Sequence, residues 1–363
     1  MSTIHYKNIG PLIINLDSIE LSDSEKCLIE HKLVGGIILF SHNFISKKQF
    51  QSLINDIKSV KDNILITIDH EGGRVQRLLD DFTHLPSFEK ISEIENEDIR
   101  KKIAYQAGYI SAYELSEINI DINYSPVIDI NHNKANNLLR DRTFGNNVED
   151  VTLLAHEYIK GSLDAGILPV LKHFPGHGRV TTDSHTEECS SDVKINELLN
   201  TDVLPFKTLH NRLSEANLPI MTNHVSYTNV DKFITTYSEE WLTRQSKLIF
   251  SRQPFFISDD VEMLSATILN GKKISCEERV LLALNAGCRM IIATTMQNNR
   301  IIEGKSSHKY FSENYLTDNI IEYYEKNHDK MSEIELPKIE SKSVKLYEEA
   351  IENMETAGMI TDE

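Results

Sequence analysis

The chain has 363 residues, of which 40% are hydrophobic and 26% are charged, and its formal net charge is −17 at pH 7. This length and composition are typical of a globular protein with one large α/β domain or two smaller ones. The excess of negative charge argues against a nucleic acid or an anionic membrane surface as a partner.

The cysteines and the N-terminus indicate where the protein works. Four cysteines lie far apart and form no Cys-x-x-Cys motif, which is typical of free thiols in a reducing compartment. The first residues show no apolar segment after a basic start, so no signal peptide is predicted, and no apolar run approaches the ~18 residues of a membrane span. We therefore expect a cytoplasmic protein, and we expect it to be a monomer.

Apolar and amphipathic segments alternate along most of the chain. Ser46, with Gln49 three residues later, has the pattern of a capping box and opens a helix whose apolar residues recur at helical spacing. In chain order, strands are predicted at 12–16, 33–40, 63–69, 120–127, 167–171, 218–222, 255–258 and 290–293. Further helices are predicted at 22–32, 98–116, 148–164, 195–212, 239–250 and 276–286.

This alternation predicts the fold class. Short strands that are apolar throughout and alternate with helices are typical of a parallel sheet with both faces covered. Eight such units predict an α/β fold, a (β/α)8 TIM barrel. A doubly wound open sheet is the alternative, although no G-x-G-x-x-G motif follows an early strand, which argues against a dinucleotide cofactor.

The chain becomes polar after Thr295. Residues 297–305 and 327–341 are predicted to be loops, residues 343–354 form a terminal helix docked on the barrel, and residues 356–363 fray. We therefore expect a catalytic barrel over residues 1–335 and a C-terminal helical tail over residues 336–363.

Residues 172–185 concentrate ionisable side chains in one loop after the fifth strand, where α/β folds carry their chemistry. His173 and His177 have helical spacing, but Pro175 and Gly176 between them make a helical metal site improbable. Asp183 and His185 are two residues apart, so in an extended segment both side chains point to the same side. A carboxylate beside an imidazole fixes its tautomer and favours its protonated form, as a general acid/base requires.

Polar residues follow four further predicted strands. They include Asp69 to Arg77, Asp129 with Arg142, Asn223-His224 and Asp259-Asp260. In a barrel these strand ends share one pocket, and carboxylates with cationic donors suit a polyhydroxylated ligand. Taken alone, Asp259 is equally well explained as the N-cap of the next helix.

These segments resemble the family 3 glycoside hydrolases, and among them the bacterial cytoplasmic β-N-acetylglucosaminidases of peptidoglycan recycling. The matching motifs are 33–40 (LVGGIILF), 69–77 (DHEGGRVQR), 121–130 (DINYSPVIDI), 142–145 (RTFG), 172–185 (KHFPGHGRVTTDSH), 258–260 (SDD) and 284–292. The sequence departs from the family pattern in two places: His70 stands where Gln is more frequent, and Val261-Glu262-Met263 stands where Leu-Ser-Met is frequent.

The resemblance implies a retaining mechanism without metal or cofactor, acting on terminal N-acetylglucosamine of muropeptides. It implies that Asp259 is the nucleophile, His185 the general acid/base and Asp183 the residue that orients His185. The sugar-binding residues that it implies are Asp69, Arg77, Arg142, Lys172 and His173.

Elementary chemistry agrees with this assignment and leaves alternatives open. An imidazolium has a pKa near neutrality, so it can protonate a leaving group and then activate water. We expect the loop at 176–182 to move His185 in when substrate binds. Because a histidine acid/base does not repel anions, a phosphorylase is the alternative activity. A binding protein without turnover and a metal-dependent hydrolase are the remaining alternatives.

Overall fold

The computed structural model describes residues 2–132, 139–297, 300–301, 306–331, 334–338 and 342–360. Eight parallel strands form a barrel: β1 Leu12–Ile14, β2 Val34–Leu39, β3 Leu65–Ile68, β4 Ile122–Asn123, β5 in two parts Leu168–Pro169 and Leu171–Phe174, β6 Ile220–Thr222, β7 Phe256–Ser258 and β8 Met290–Ile292. Each strand pairs with the strands that precede and follow it, and β8 pairs with β1. The ring closes through β5, whose first part pairs with β4 and whose second part pairs with β6. The predicted TIM barrel is confirmed.

The strands are buried on both faces because helices cover the outside of the ring. All six residues of β2 are buried, as are all four of β3. The helix Lys47–Val60 shows how the layers meet, since Phe50, Leu53 and Ile54 on one stripe are buried against the sheet. Burial on both sides explains why the strands are apolar throughout.

The helices around the barrel include two short ones that were not predicted, Phe88–Ser92 and Leu264–Thr267, and the helix predicted at 239–250 is an α-helix only over Ser246–Ile249. In chain order, the helices are Asp23–Glu30, Lys47–Val60, Phe88–Ser92, Glu97–Glu117, Val148–Asp164, Ile195–Asn200, Val203–Arg212, Ser246–Ile249, Leu264–Thr267 and Cys276–Ala286. Ser46 caps its helix as predicted, with its side chain accepting from the backbone N–H of Gln49, whereas the side chain of Gln49 accepts from Ile45. The single helix predicted at 195–212 is wrong: two helices meet at Thr201–Asp202, where the buried Asp202 side chain bonds to groups outside the helix.

The polar C-terminal part contains more regular structure than predicted. Helices Ser307–Asn314 and Asp318–Met331 precede a strand, Ile334–Lys338, which pairs antiparallel with Ser2–Tyr6. The prediction of a loop at 327–341 is therefore wrong over these residues. The strand Ile334–Lys338 could not be predicted locally, because the strand with which it pairs lies at the other end of the chain. Within the predicted loop at 297–305, the described residues join a short hairpin, Met296–Gln297 with Arg300–Ile301; residues 298–299 and 302–305 lie outside the described ranges.

The terminal helix runs from Val344 to Thr356 and docks on the helix Glu97–Glu117. Tyr347 stacks on Tyr113 with their ring centroids 4.4 Å apart. The predicted fraying from residue 356 is wrong as far as residue 360, since Met359 N–H bonds to the Met354 carbonyl and Ile360 is buried; residues 361–363 lie outside the described ranges. The division at residue 335 stays a prediction, and the strand Ile334–Lys338 crosses it. No helix in the described parts of the chain is long and apolar enough to cross a membrane.

Candidate active site

One cavity of about 290 Å³ opens at the C-terminal ends of the barrel strands. All eight residues that the sequence singled out line it: Asp69, Arg77, Arg142, Lys172, His173, Asp183, His185 and Asp259. They come from four different strand ends, those of β3, β4, β5 and β7, which the closed barrel brings to one side of the molecule. The other residues of the wall are Ile38, Phe40, Arg74, Val75, Met221, Asp260, Met263, Ile292 and Thr294.

A cluster of two carboxylates and three cations forms one side of the cavity. Lys172, on β5, places its Nζ 2.8 Å from Asp69 Oδ1 and 2.6 Å from Glu71 Oε1. Arg142 binds both oxygens of Glu71, at 2.7 and 2.8 Å, and Arg77 lies 3.4 Å from Asp69. Burial alone would raise the pKa of Glu71, but Arg142 and Lys172 lower it to about 2. Lys172 and Arg77 likewise hold the pKa of Asp69 well below its usual range against the effect of burial.

His173 is oriented by a buried carboxylate. Asp129 follows β4 and accepts from His173 Nδ1 at 2.7 Å, while its other oxygen accepts the backbone N–H groups of His173 and His177. Because Nδ1 is occupied by Asp129, Nε2 is the ring nitrogen left to face the cavity. Burial lowers the pKa of His177 to about 4, so this second histidine is neutral at pH 7.

The loop after His173 is tightly fitted and anchored. A Cβ on Gly178 would lie 1.7 Å from the Ile130 carbonyl oxygen, so only glycine fits there. Arg179 donates to Asp202 at 2.7 Å and to Glu197 at 2.6 Å. Asp202, at the break between the two helices, therefore accepts the hydrogen bond from Arg179 that anchors this loop.

Asp183 and His185 form the predicted pair, but not in an extended segment. His185 Nδ1 lies 2.8 Å from Asp183 Oδ1, and the same oxygen accepts the His185 backbone N–H. The backbone N–H groups of Thr186 and Glu187 both donate to the Asp183 carbonyl, which closes a turn. The expectation of an extended segment is wrong, because an aspartate that begins a turn can reach residue i+2 directly.

The charge state of this pair suits a proton donor. The hydrogen bond from His185 lowers the pKa of Asp183 to about 2. Burial would lower the pKa of His185, but the bond to Asp183 and the charge of Asp259 raise it overall. The His185 side chain is 45% exposed and lines the cavity.

Asp259 lies directly after β7. Its backbone N–H bonds to the Thr222 carbonyl, and its Oδ1 accepts the backbone N–H of Asp260 at 2.8 Å. Burial alone would raise the pKa of Asp259, but His173 and His224 lower it, which keeps the carboxylate ionised. The helix that follows, Leu264–Thr267, is preceded by Met263 at its cap position, so the N-cap alternative for Asp259 is wrong.

Asp260 differs from its neighbour in environment. Its carboxylate accepts from the backbone N–H and the hydroxyl of Thr294 and from the backbone N–H of Glu262. Burial raises the pKa of Asp260 to about 7. Of two adjacent aspartates, only Asp259 is held as a carboxylate by nearby imidazoles, which makes it the better nucleophile.

Sequence reasoning missed the residues that hold the assigned ones in place. Glu71 and Asp129 were visible only as polar residues after strands, and their partners became evident from the barrel geometry. His70, Val261 and Glu262 are not among the residues that line the cavity, whereas Met263 is. The His70 ring is fully buried, and Glu262 bonds to Arg279 behind the strand ends.

The described residues contain no group of three or more His, Cys, Asp or Glu side chains arranged to hold a metal ion. The cavity itself presents carboxylates, imidazoles and cationic donors. Asp259, whose pKa is lowered, and His185, whose pKa is raised, both line this cavity.

Comparisons with known proteins identify related chains over most of the sequence. The family model "Glycosyl hydrolase family 3 N terminal domain" matches residues 9–320. A protein named beta-hexosaminidase from Idiomarina loihiensis is 36% identical over 287 residues, which are 78% of this chain and 83% of the relative. The beta-hexosaminidase of Actinobacillus pleuropneumoniae serotype 5b is 37% identical over 77% of this chain and 80% of its own.

Solved structures give the same result. Native NagZ from Neisseria gonorrhoeae superposes with a TM-score of 0.75 and 27% identity, covering 98% of this chain and 99% of the other. Its complex with N-trifluoroacetyl-D-glucosamine gives a TM-score of 0.72 and 29% identity over 88% and 94% of the two chains. The likeness therefore extends over the whole barrel, including the strand ends that build the cavity.

Proposed function

Because the chain belongs to glycoside hydrolase family 3 and is a glycoside hydrolase of the β-N-acetylhexosaminidase type, we propose that it removes terminal N-acetylglucosamine from muropeptides with Asp259 and His185 as the catalytic residues. The observation that carries this assignment is that an ionised Asp259 and the Asp183–His185 pair line one cavity. Retaining glycosidases need such a nucleophile and proton donor on the two sides of the scissile bond.

The sugar is held by the charged cluster. Lys172, Arg77 and Arg142 donate to its hydroxyl groups, while Asp69 accepts from them. These side chains already bond to one another, so binding exchanges existing interactions for sugar contacts with little rearrangement. His173 also lines the cavity and is oriented by its Nδ1 bond to Asp129.

In the first step, His185 gives the proton on Nε2 to the glycosidic oxygen while the bond between that oxygen and C1 breaks. An oxygen of Asp259 forms the new bond to C1. In the second step, neutral His185 takes a proton from water, which attacks C1 and releases Asp259 as a carboxylate. Asp183 stabilises the imidazolium and keeps Nε2 directed at the leaving group.

The test is release of the phenol from an aryl β-N-acetylglucosaminide by the wild type and by Asp259→Ala, both with chelator present. Loss of about 10³-fold or more in kcat for the variant is the expected result for a covalent nucleophile. Activity that survives in Asp259→Ala would assign the reaction to another group, and loss of wild-type activity with chelator would favour a metal-dependent hydrolase.

The natural substrate is tested separately. We expect the enzyme to cleave an N-acetylglucosaminyl-1,6-anhydro-N-acetylmuramyl peptide, and mass spectrometry of the two products measures this directly. We propose that the enzyme acts on this substrate in the cytoplasm and as a monomer. The names of the relatives are those of hydrolases, so the phosphorylase alternative is not supported.

A further inference from the structure

The turn after β7, residues 259–262, is contacted by the helix Cys276–Ala286. Arg279 Nη1, on the helix Cys276–Ala286, donates to the Val261 carbonyl at 3.0 Å. Within the turn, the backbone N–H of Glu262 bonds to the carboxylate of Asp260, whose own N–H bonds to Asp259 Oδ1. A shift of this turn therefore changes the position of the Asp259 carboxylate.

The side chain of Glu262 connects this turn to the C-terminal part of the chain. Its Oε1 accepts from Arg279 at 2.8 Å, from the Tyr310 hydroxyl at 2.7 Å and from the Tyr315 hydroxyl. Arg279 and Glu262 are only 3% and 9% exposed. Several donors on one nearly buried carboxylate oxygen fix its position more firmly than a single surface pair would.

The segment Ser307–Tyr315 that supplies these hydroxyls is itself anchored on the barrel. The backbone N–H of Ser307 donates to Asp17 at 3.0 and 3.1 Å, and its hydroxyl accepts from the Asn15 side chain. Tyr315 and Phe311 are fully buried. The segment thus spans from the end of β1 to the end of β7, and its tyrosines have fixed positions.

We propose that Tyr310 and Tyr315 are positioning residues for the nucleophile, acting through the side chain of Glu262 on the turn that carries Asp259. This rests on the proposed function, because it requires Asp259 to be the attacking group. The polar segment after the last barrel strand is then part of the catalytic unit. Glu262, which departs from the family pattern, is the residue through which it acts.

The test compares Tyr310→Phe, Tyr315→Phe and Glu262→Gln with Tyr347→Phe. Tyr347 is the matched control, since its hydroxyl also donates to a glutamate, Glu114, at 2.7 Å, but far from the cavity. The probe is the 5-fluoro β-glycosyl fluoride of N-acetylglucosamine. Fluoride leaves with the bonding electrons of the C1–F bond, an Asp259 oxygen bonds to C1, and intact mass measures the rate of labelling.

We expect each test variant to be labelled about tenfold more slowly than the wild type, because small displacements of a reacting group are costly. The dissociation constant of N-acetylglucosamine should stay within about twofold, since the sugar is held by the charged cluster on other strands. A purely structural role would lower the melting temperature and leave the labelling rate of the folded protein unchanged.

Two outcomes overturn different statements. If both Tyr→Phe variants are labelled as fast as Tyr347→Phe, the positioning role is wrong while the proposed function stands. If Asp259→Ala is labelled at the wild-type rate, the proposed nucleophile is wrong, and the positioning role with it. Each Tyr→Phe change removes one oxygen, so these variants carry the test even if Glu262→Gln fails to fold.

Discussion

Asp183 determines the pH range in which His185 holds its proton. The carboxylate raises the pKa of His185, and an acid with a raised pKa stays protonated to higher pH. In Asp183→Asn that pKa falls, so the alkaline limb of kcat/KM should move to lower pH, with kcat reduced about 10- to 100-fold. pH–rate profiles measure both effects, with Asp150→Asn, which pairs with Arg100 away from the cavity, as control. An unshifted alkaline limb in Asp183→Asn would contradict the pairing.

Glu71 links the active site to stability. Its folded pKa of about 2 is below the ordinary value of 4.5, so the folded state holds the carboxylate more strongly than the unfolded chain does. A depressed carboxyl pKa stabilises the protein above about pH 4.5, and this contribution is lost as the pH falls towards 2. At pH 7, Glu71→Gln should lower the free energy of unfolding by about 3 kcal/mol, because Arg142 loses its buried partner. The variant should therefore unfold at a lower urea concentration than the wild type.

The difference between the two proteins should shrink as the pH is lowered towards 2, where Glu71 is itself protonated. Urea titrations at pH 7 and at the lowest pH where both proteins fold measure this convergence. Glu and Gln have nearly the same volume, so a difference that is the same at both pH values would mean that the amide's hydrogen bonds, and not the charge of Glu71, account for the lost stability.

The loop from Gly176 to Thr182 contains Arg179, which is anchored by its bond to Asp202, and it leads to the half-exposed His185. We expect hydrogen exchange in this loop to slow when N-acetylglucosamine or a covalent glycosyl adduct occupies the cavity, because closure brings His185 to the leaving group. Exchange measured on peptides of this loop, with peptides of the helix Val148–Asp164 as control, tests the expectation. Equal exchange with and without ligand would mean that the loop does not close.

The elements that the sequence predicted well are those whose signal is local. β2 and the helix Val148–Asp164 follow from apolar runs and helical periodicity, and the eight site residues lie in motifs at strand ends. The strand Ile334–Lys338 was missed because it is stabilised by a partner at the opposite end of the chain. Glu71 and Asp129 were missed as anchors because the choice of partner for a carboxylate depends on where the barrel brings the cations.

At the scale of the whole molecule, the C-terminal part has one portion that contacts the turn after β7 and another portion that does not. Tyr310 and Tyr315 bond to Glu262, whereas the helix Val344–Thr356 packs on Glu97–Glu117, and no residue of either of these helices lines the cavity. The last helix should therefore contribute to stability without affecting turnover.

Ala350→Glu tests this division, since Ala350 is fully buried where the terminal helix docks. A carboxylate placed there without a partner should lower the free energy of unfolding by about 3 kcal/mol or more. Well below the unfolding transition, kcat and KM should equal those of the wild type. The matched control is Glu349→Ala, which changes an exposed residue of the same helix whose ion pair with Lys345 contributes about 0.5 kcal/mol or less. A fall in kcat for folded Ala350→Glu would show that the whole C-terminal part, and not only the segment Ser307–Tyr315, supports the nucleophile.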